Sequence, residues 1–290
     1  MKIQFLLIAV GIVVVLGLGV TQLMKQASQK VSDPARAEMA EEAPRSATPM
    51  EAYTPSFAKR QYEVADAAAK RRITYYWFEP EKPYPPGLMF PLVVVLHGAS
   101  GNAYAAEYLV SRQMQTDFPA FIAVPQSPFG KKWAMPERFS GEEFGESAPA
   151  AYARHPELES LPDTIALVKQ LESQYPIDRR RVYVVGCSDG GTGVYGAALR
   201  YPDVFAAGAA ISGAWSFLDA PKMKTVPLWI MHGIQDEVFP ASVASNMAQI
   251  IKGQGGTAYY TQFNDMGHEC SRPSLYSKPL WQWLFGQKKR

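Results

Sequence analysis

Three short stretches of the chain carry side chains that can act together on a carbonyl carbon. Gly186-Cys187-Ser188-Asp189-Gly190 fits the pattern G-x-S-x-G. It follows the strand-like run Arg181–Val185 and leads into the helix-like run Gly190–Leu199. That is the strand–turn–helix setting in which a serine is held in a strained turn with its hydroxyl projecting above a sheet. Without the setting, the pattern is equally met by a glycine-rich turn with a solvated serine. His232-Gly233-Ile234-Gln235-Asp236 places a carboxylate just beyond the strand-like run Leu228–Met231, where ligands approach open α/β sheets. Met266-Gly267-His268 places an imidazole after the strand-like run Ala258–Phe263. The chain order Ser188, Asp236, His268 is the one expected of a nucleophilic triad on such a sheet. His268 would take the serine proton and return it to the leaving group, while Asp236 holds the imidazole tautomer. Asp219, Asp265 and Glu237 are competing acids; Asp265 is too close to His268 in sequence to come first, and Glu237 reads as a solvated neighbour. Activity is expected to fall as the pH drops through the range where imidazole takes up a proton.

A fourth stretch, Leu96-His97-Gly98-Ala99, follows the apolar run Pro91–Leu96. Its loop can offer the Ala99 backbone N–H to a developing oxyanion, with Ser100 as the alternative and the Asp189 N–H as the second donor. His97 reads as a brace for this loop, and His155, in Arg154-His155-Pro156, as a surface residue. Scattered histidines and only two cysteines give no metal-ligand set, and no metal or organic cofactor is expected. For a substrate pocket, Phe129 and Trp133 in the long polar stretch Ser127–Leu161 and Trp215 after the run Ala206–Ile211 are candidates, with loop packing as the alternative for each.

The elements that must position these residues alternate in type. Ile73–Phe78, Leu92–Leu96, Ala120–Pro125, Arg181–Val185, Ala206–Ile211, Leu228–Met231 and Ala258–Phe263 read as strands. Asp163–Glu172, Gly190–Leu199, Ala241–Lys252 and Trp281–Phe285 read as helices. This alternation predicts an α/β fold with a mostly parallel sheet covered by helices on both faces. The folded part is expected over residues 57–290, preceded by a flexible linker over 25–56 and an apolar segment over 1–24. The linker is rich in Ala, Glu, Pro, Ser and Thr and cannot bury enough apolar area to offset its ordering entropy. In the first segment, Ile3–Val20 contains one polar residue, Gln4, and the run continues to Met24. That suffices to cross a bilayer, so we expect a membrane anchor with the rest of the chain outside the cytoplasm, periplasmic or extracellular; cleavage as a signal peptide would make the protein secreted. A formal net charge of +2 gives no field for a phosphate backbone, and no nucleic-acid partner is expected.

From about residue 73 to 285 the chain resembles the α/β-hydrolase superfamily, and within it the polyhydroxybutyrate depolymerase, feruloyl esterase and related carboxylesterase group. Tyr175-Pro176-Ile177-Asp178 with Arg181-Val182-Tyr183-Val184 leads to the serine as in that group. Tyr201-Pro202-Asp203-Val204-Phe205-Ala206-Ala207, running on to Ile211-Ser212-Gly213, follows it similarly. The resemblance implies hydrolysis of a small-molecule or polymeric carboxylic ester through an acyl-serine, with Ser188, Asp236 and His268 as the triad. Two other readings stay open: a peptidase or aminopeptidase on the same triad, and a catalytically silent envelope protein that uses the fold for binding. If Ser188 and His268 touch, Cys187 and Cys270 are drawn together, and the Cα separation of about 4.4–6.8 Å that a disulfide needs is attainable. Tannases and fungal feruloyl esterases carry a similar bridge, but here Glu269 intervenes between His268 and Cys270. A bridge and two buried thiols both remain open on the sequence.

Overall fold

Short β-branched and apolar runs, separated by helix-forming segments, assemble into one eight-stranded sheet. The computed structural model describes residues 57–64, 71–138 and 156–289. The expected membrane segment over 1–24, the linker over 25–56 and His155 lie outside the described residues. Among the described residues, no helix is long and apolar enough to cross a membrane.

The strands are β1 (Ala58–Val64), β2 (Arg71–Phe78), β3 (Phe90–Leu96), β4 (Phe121–Pro125), β5 (Ile177–Cys187), β6 (Ala207–Ile211), β7 (Leu228–Gly233) and β8 (Ala258–Phe263). Their spatial order is β1-β2-β4-β3-β5-β6-β7-β8. From β4 to β8 all neighbours are parallel, while β1–β2 and β2–β4 are antiparallel. Every residue of β3, β4, β6 and β7 is buried, the signature of strands covered on both faces and the reason they read as unbroken apolar runs.

Between the strands lie α1 (Tyr104–Leu109), α2 (Arg112–Asp117), α3 (Leu161–Gln174), α4 (Asp189–Arg200) and α5 (Ala241–Gly253), and α6 (Lys278–Gly286) follows β8. Pro162 within the first turn and Asp163 beside it favour the start of α3. Two features differ from the sequence reading in extent. β5 starts four residues before Arg181, because Phe90 pairs with Ile177 and the ladder resumes after a register shift at Leu92 and Val182. The edge strand β1 and the six-residue helices α1 and α2 were not expected. In β1 the inward face that carries Tyr62 and Val64 is interrupted by Arg60, which is tied to Glu79 at 2.9 Å and to the Tyr175 hydroxyl. Helices of six residues are too short to display a period.

The parallel strands aim their C-terminal ends at one edge of the sheet. The loops after β3, β5, β7 and β8 therefore open side by side, and these are the loops that carry Ala99, Ser188, Asp236 and His268.

Candidate active site

Ser188 sits between the last residue of β5 and the first of α4, with φ 60° and ψ −121°. A non-glycine residue in that region is strained and persists only where its surroundings dictate it. Its N–H donates to Ile211 O at 2.9 Å, and its carbonyl accepts from Thr192 N–H at 3.0 Å. The turn is closed from both sides by glycines. A Cβ on Gly190 would lie 2.0 Å from Leu96 O, and one on Gly186 would lie 2.3 Å from Gly190 O. Only glycine lets three backbone segments pass this closely.

The hydroxyl so presented meets the imidazole. Ser188 Oγ lies 2.8 Å from His268 Nε2, and His268 Nδ1 lies 2.8 Å from Asp236 Oδ2. The arrangement fits Oγ–H donating to Nε2 while Nδ1–H donates to the carboxylate. The Asp236 side chain is fully buried. Its Oδ1 accepts from the backbone N–H groups of Val238 and Phe239, each at 2.9 Å. Burial alone would push the Asp236 carboxyl upward, but hydrogen bonds from His232, His268 and the Phe239 N–H, with the charge of His268, hold it well below the usual carboxylate range. A carboxyl depressed in the folded state contributes stability that is present above its unfolded value, near ~3.9, and is lost as the pH falls toward the folded value. The advantage of the natural protein over Asp236→Asn in urea unfolding is therefore expected to hold steady from about pH 7 to 5 and to shrink below about pH 4. An advantage that stays flat on acidification would contradict the assigned charge.

The loop after β3 packs directly on the serine turn: a Cβ on Gly98 would lie 3.3 Å from Cys187 O and 3.5 Å from Ser188 Cβ. Ala99 and Asp189 both line the cavity of about 510 Å³ that opens over Ser188 and His268. As the first residue of α4, Asp189 has an N–H without an intrahelical partner, free to face an oxyanion. His97 braces the loop. Its Nδ1–H donates to Gly98 O at 2.7 Å, its Nε2 accepts from Ser127 N–H at 3.1 Å, and its backbone carbonyl accepts from Trp133 Nε1–H at 2.8 Å.

The three aromatic pocket candidates require correction. Trp133 and Trp215 are fully buried, Phe129 is fully exposed, and none of them lines the cavity. The cause is α4, which presents Gly193 and Gly196 where helices ordinarily carry larger residues. Cβ atoms there would lie 2.6 Å from Trp133 Cβ and 2.4 Å from Ala134 Cβ, so this segment packs into the groove the glycines leave. Trp215 is held by Asp219 Oδ2 at 3.1 Å and covered by the Arg200 guanidinium. Asp219 is thereby occupied, and Asp265 pairs with Arg272 at 2.9 Å.

Instead, the cavity beside the serine is lined by Asn102, Tyr104 and Lys132 together with the apolar Val238 and Phe239. Lys132 Nζ stands 3.4 Å from Asp189 Oδ1; burial pushes the Asp189 carboxyl up, with the Lys132 charge opposing it. Nothing in the local sequence marked Lys132. His232 was also missed as a participant, although it stands four residues before Asp236 in a stretch already singled out.

Cys187 and Cys270 are bridged, with Cα atoms 5.9 Å apart. The bridge ties the end of β5 to the loop of His268 across a separation of 83 residues. Replacing both by alanine is expected to cost about 2–4 kcal/mol of stability by releasing that closure in the unfolded chain. Thermal unfolding reads the loss, and an unchanged midpoint would contradict it.

Comparison with known folds decides the architecture. A solved structure described as a thermostable esterase superposes with a TM-score of 0.68 at 24% identity, over 81% of this chain and 64% of that one. The chain has the α/β-hydrolase fold. A second α/β-hydrolase, the acylaminoacyl peptidase of Pyrococcus horikoshii, aligns with a TM-score of 0.58 at 17% identity, over 81% of this chain and 42% of that one. Within the α/β-hydrolase domain, residues 133–220 match the Prolyl oligopeptidase family, Peptidase_S9. Feruloyl esterase B of Neurospora crassa is 33% identical over 126 residues, which make up 42% of this chain and 38% of that protein. The chain thus spans little more than a third of the length of this curated relative.

Proposed function

We propose that the protein is a serine hydrolase that cleaves carboxylic esters through an acyl-serine intermediate. The observation that carries this reading is the continuous array from Ser188 Oγ to His268 Nε2 and from Nδ1 to Asp236 Oδ2, both links 2.8 Å, at the end of a strained turn. As Ser188 Oγ bonds to the ester carbonyl carbon, its proton passes to His268 Nε2. The carbonyl oxygen takes the negative charge and lies against the N–H groups of Ala99 and Asp189. Collapse breaks the bond to the alkoxy oxygen, which leaves as the alcohol with the proton from His268. Water then attacks the acyl carbon, giving a proton to His268 that returns to Ser188 Oγ as the acid departs. Asp236 stays ionised throughout and stabilises the imidazolium. The likeness to feruloyl esterase B supports the ester as substrate.

The test is a fluorophosphonate ester applied to the full-length protein, with the adduct located by peptide mass spectrometry. An adduct on Ser188 is expected; none on folded protein would overturn the reading in favour of a silent binding scaffold. A peptidase on the same groups is a second reading, favoured by the match of residues 133–220 to the Prolyl oligopeptidase family. Turnover of an anilide faster than of the matching ester would select it.

The same reading places the domain outside the cytoplasm, tethered through the apolar run Ile3–Met24. The disulfide supports an oxidising compartment, and recovery of the chain in the membrane fraction after alkaline washing reads the tether.

A further inference from the structure

His232 stands four residues before Asp236, as the penultimate residue of β7, and the proposed reaction gives it no role. Its side chain is wholly buried. Nε2 lies 3.1 Å from Asp236 Oδ2 and 3.1 Å from Phe239 O. Nδ1 is buried and has no hydrogen-bond partner among the described residues. A proton on Nδ1 would be a buried donor left unsatisfied, so the ring carries its proton on Nε2, where two acceptors converge. One N–H shared between two acceptors is a common three-centre arrangement.

The contacts form a closed circuit. Phe239 N–H donates to Asp236 Oδ1 at 2.9 Å. Phe239 O and Asp236 Oδ2 both receive the His232 N–H, and the same Oδ2 receives Nδ1–H of His268. The Phe239 ring stands edge-on to the His268 ring, with centroids 5.6 Å apart. A single buried imidazole therefore touches both the carboxylate oxygen that holds His268 and the backbone of the residue that walls it.

The geometry points to His232 as a positioning residue for the Asp236–His268 pair: its shared N–H fixes the rotation of the Asp236 carboxylate and the turn to Phe239, so that Oδ2 faces His268 Nδ1. It does not line the cavity and acts only through its neighbours. Without this donor, Oδ2 keeps only the His268 Nδ1–H, and the carboxylate, still held at Oδ1 by the Val238 and Phe239 N–H groups, loses a tie that sets the direction of Oδ2. Displacement of a catalytic group by about 1 Å can cost on the order of a hundredfold in rate. The inference rests on the proposed role of the Ser188 array.

The test compares the full-length natural protein with His232→Gln, His232→Asn and His232→Met on p-nitrophenyl acetate. Glutamine carries an amide N–H as far as Nε2. Asparagine stops near the level of Nδ1, and methionine fills the space without a donor. Asparagine and methionine are expected to lower kcat by about tenfold to a hundredfold while KM stays within about twofold, and glutamine to recover most of the loss. Thermal unfolding identifies which variants fold, and methionine carries the comparison if asparagine does not. A role in packing alone would place glutamine with asparagine, or leave methionine near the natural rate; either result overturns the assignment. Fluorophosphonate labelling separates this failure from the broader one. No adduct on Ser188 of the natural protein sinks the hydrolase reading, whereas equal labelling rates in the natural protein and the methionine variant sink only the role of His232.

Discussion

Ser188→Ala is expected to lower kcat on p-nitrophenyl acetate by about 10⁵–10⁶-fold while the protein stays folded. The hydroxyl oxygen is the atom that bonds to the acyl carbon, and nothing else lining the cavity is placed 2.8 Å from the His268 base. What remains after its loss is the contribution of the N–H groups and of binding, which act on a weaker nucleophile, water. His268→Ala is expected to fall nearly as far. The double variant should be scarcely slower than either, because groups that act as a unit are not additive. If Ser188→Ala kept more than about 1% of the natural rate, the nucleophile would have to lie elsewhere.

Gly190→Ala is expected to be among the most damaging additions of a single methyl group at the described residues. The added Cβ would lie 2.0 Å from Leu96 O and 2.7 Å from Leu96 C, both backbone atoms of the fully buried strand β3. A flexible side chain could turn aside; a strand hydrogen-bonded on both edges cannot. The substitution must either separate β3 from the serine turn or tilt α4, and both loosen the core. A loss of about 4 kcal/mol or more is expected, a size reserved for such collisions, with a fall in Tm of roughly 10 °C. Gly253→Ala is the control. It closes α5, a Cβ there meets nothing within 4 Å, and alanine should leave stability unchanged or raise it by up to about 1 kcal/mol. Urea unfolding of the two variants side by side reads the contrast, and equal midpoints would remove the steric argument for the G-x-S-x-G glycines.

The strands and the serine turn were legible because each is encoded locally. The core strands bury every side chain, so β3 appears as the bare run Phe90–Leu96. The helices α3 and α5 are delimited by Pro162, Pro240 and Gly253. β1 was hidden because it is an edge strand that buries only Val64. Its polar residues fit a strand only once Arg60 is seen tied to Glu79, 19 residues away in the chain. The aromatic residues misled for a related reason. A tryptophan in a polar loop looks available to a ligand, and Trp133 is drawn inward only because α4 leaves a groove at Gly193 and Gly196.

By itself, then, the sequence determined the alternation of strands and helices, the glycine-framed serine after β5, and the acid and base after later strands. These depend on residue type, spacing and order, which local sterics read directly. Tertiary structure alone decided that His268 stands 2.8 Å from Ser188 on one side and 2.8 Å from Asp236 on the other, that Cys187 and Cys270 are joined despite the intervening Glu269, and that His232 shares the carboxylate of Asp236. The cavity is likewise a tertiary product, lined by Asn102, Tyr104 and Lys132 and not by Phe129, Trp133 or Trp215. Such contacts join segments tens of residues apart, and their distances depend on how β3, β5, β7 and β8 pack, which no local pattern contains.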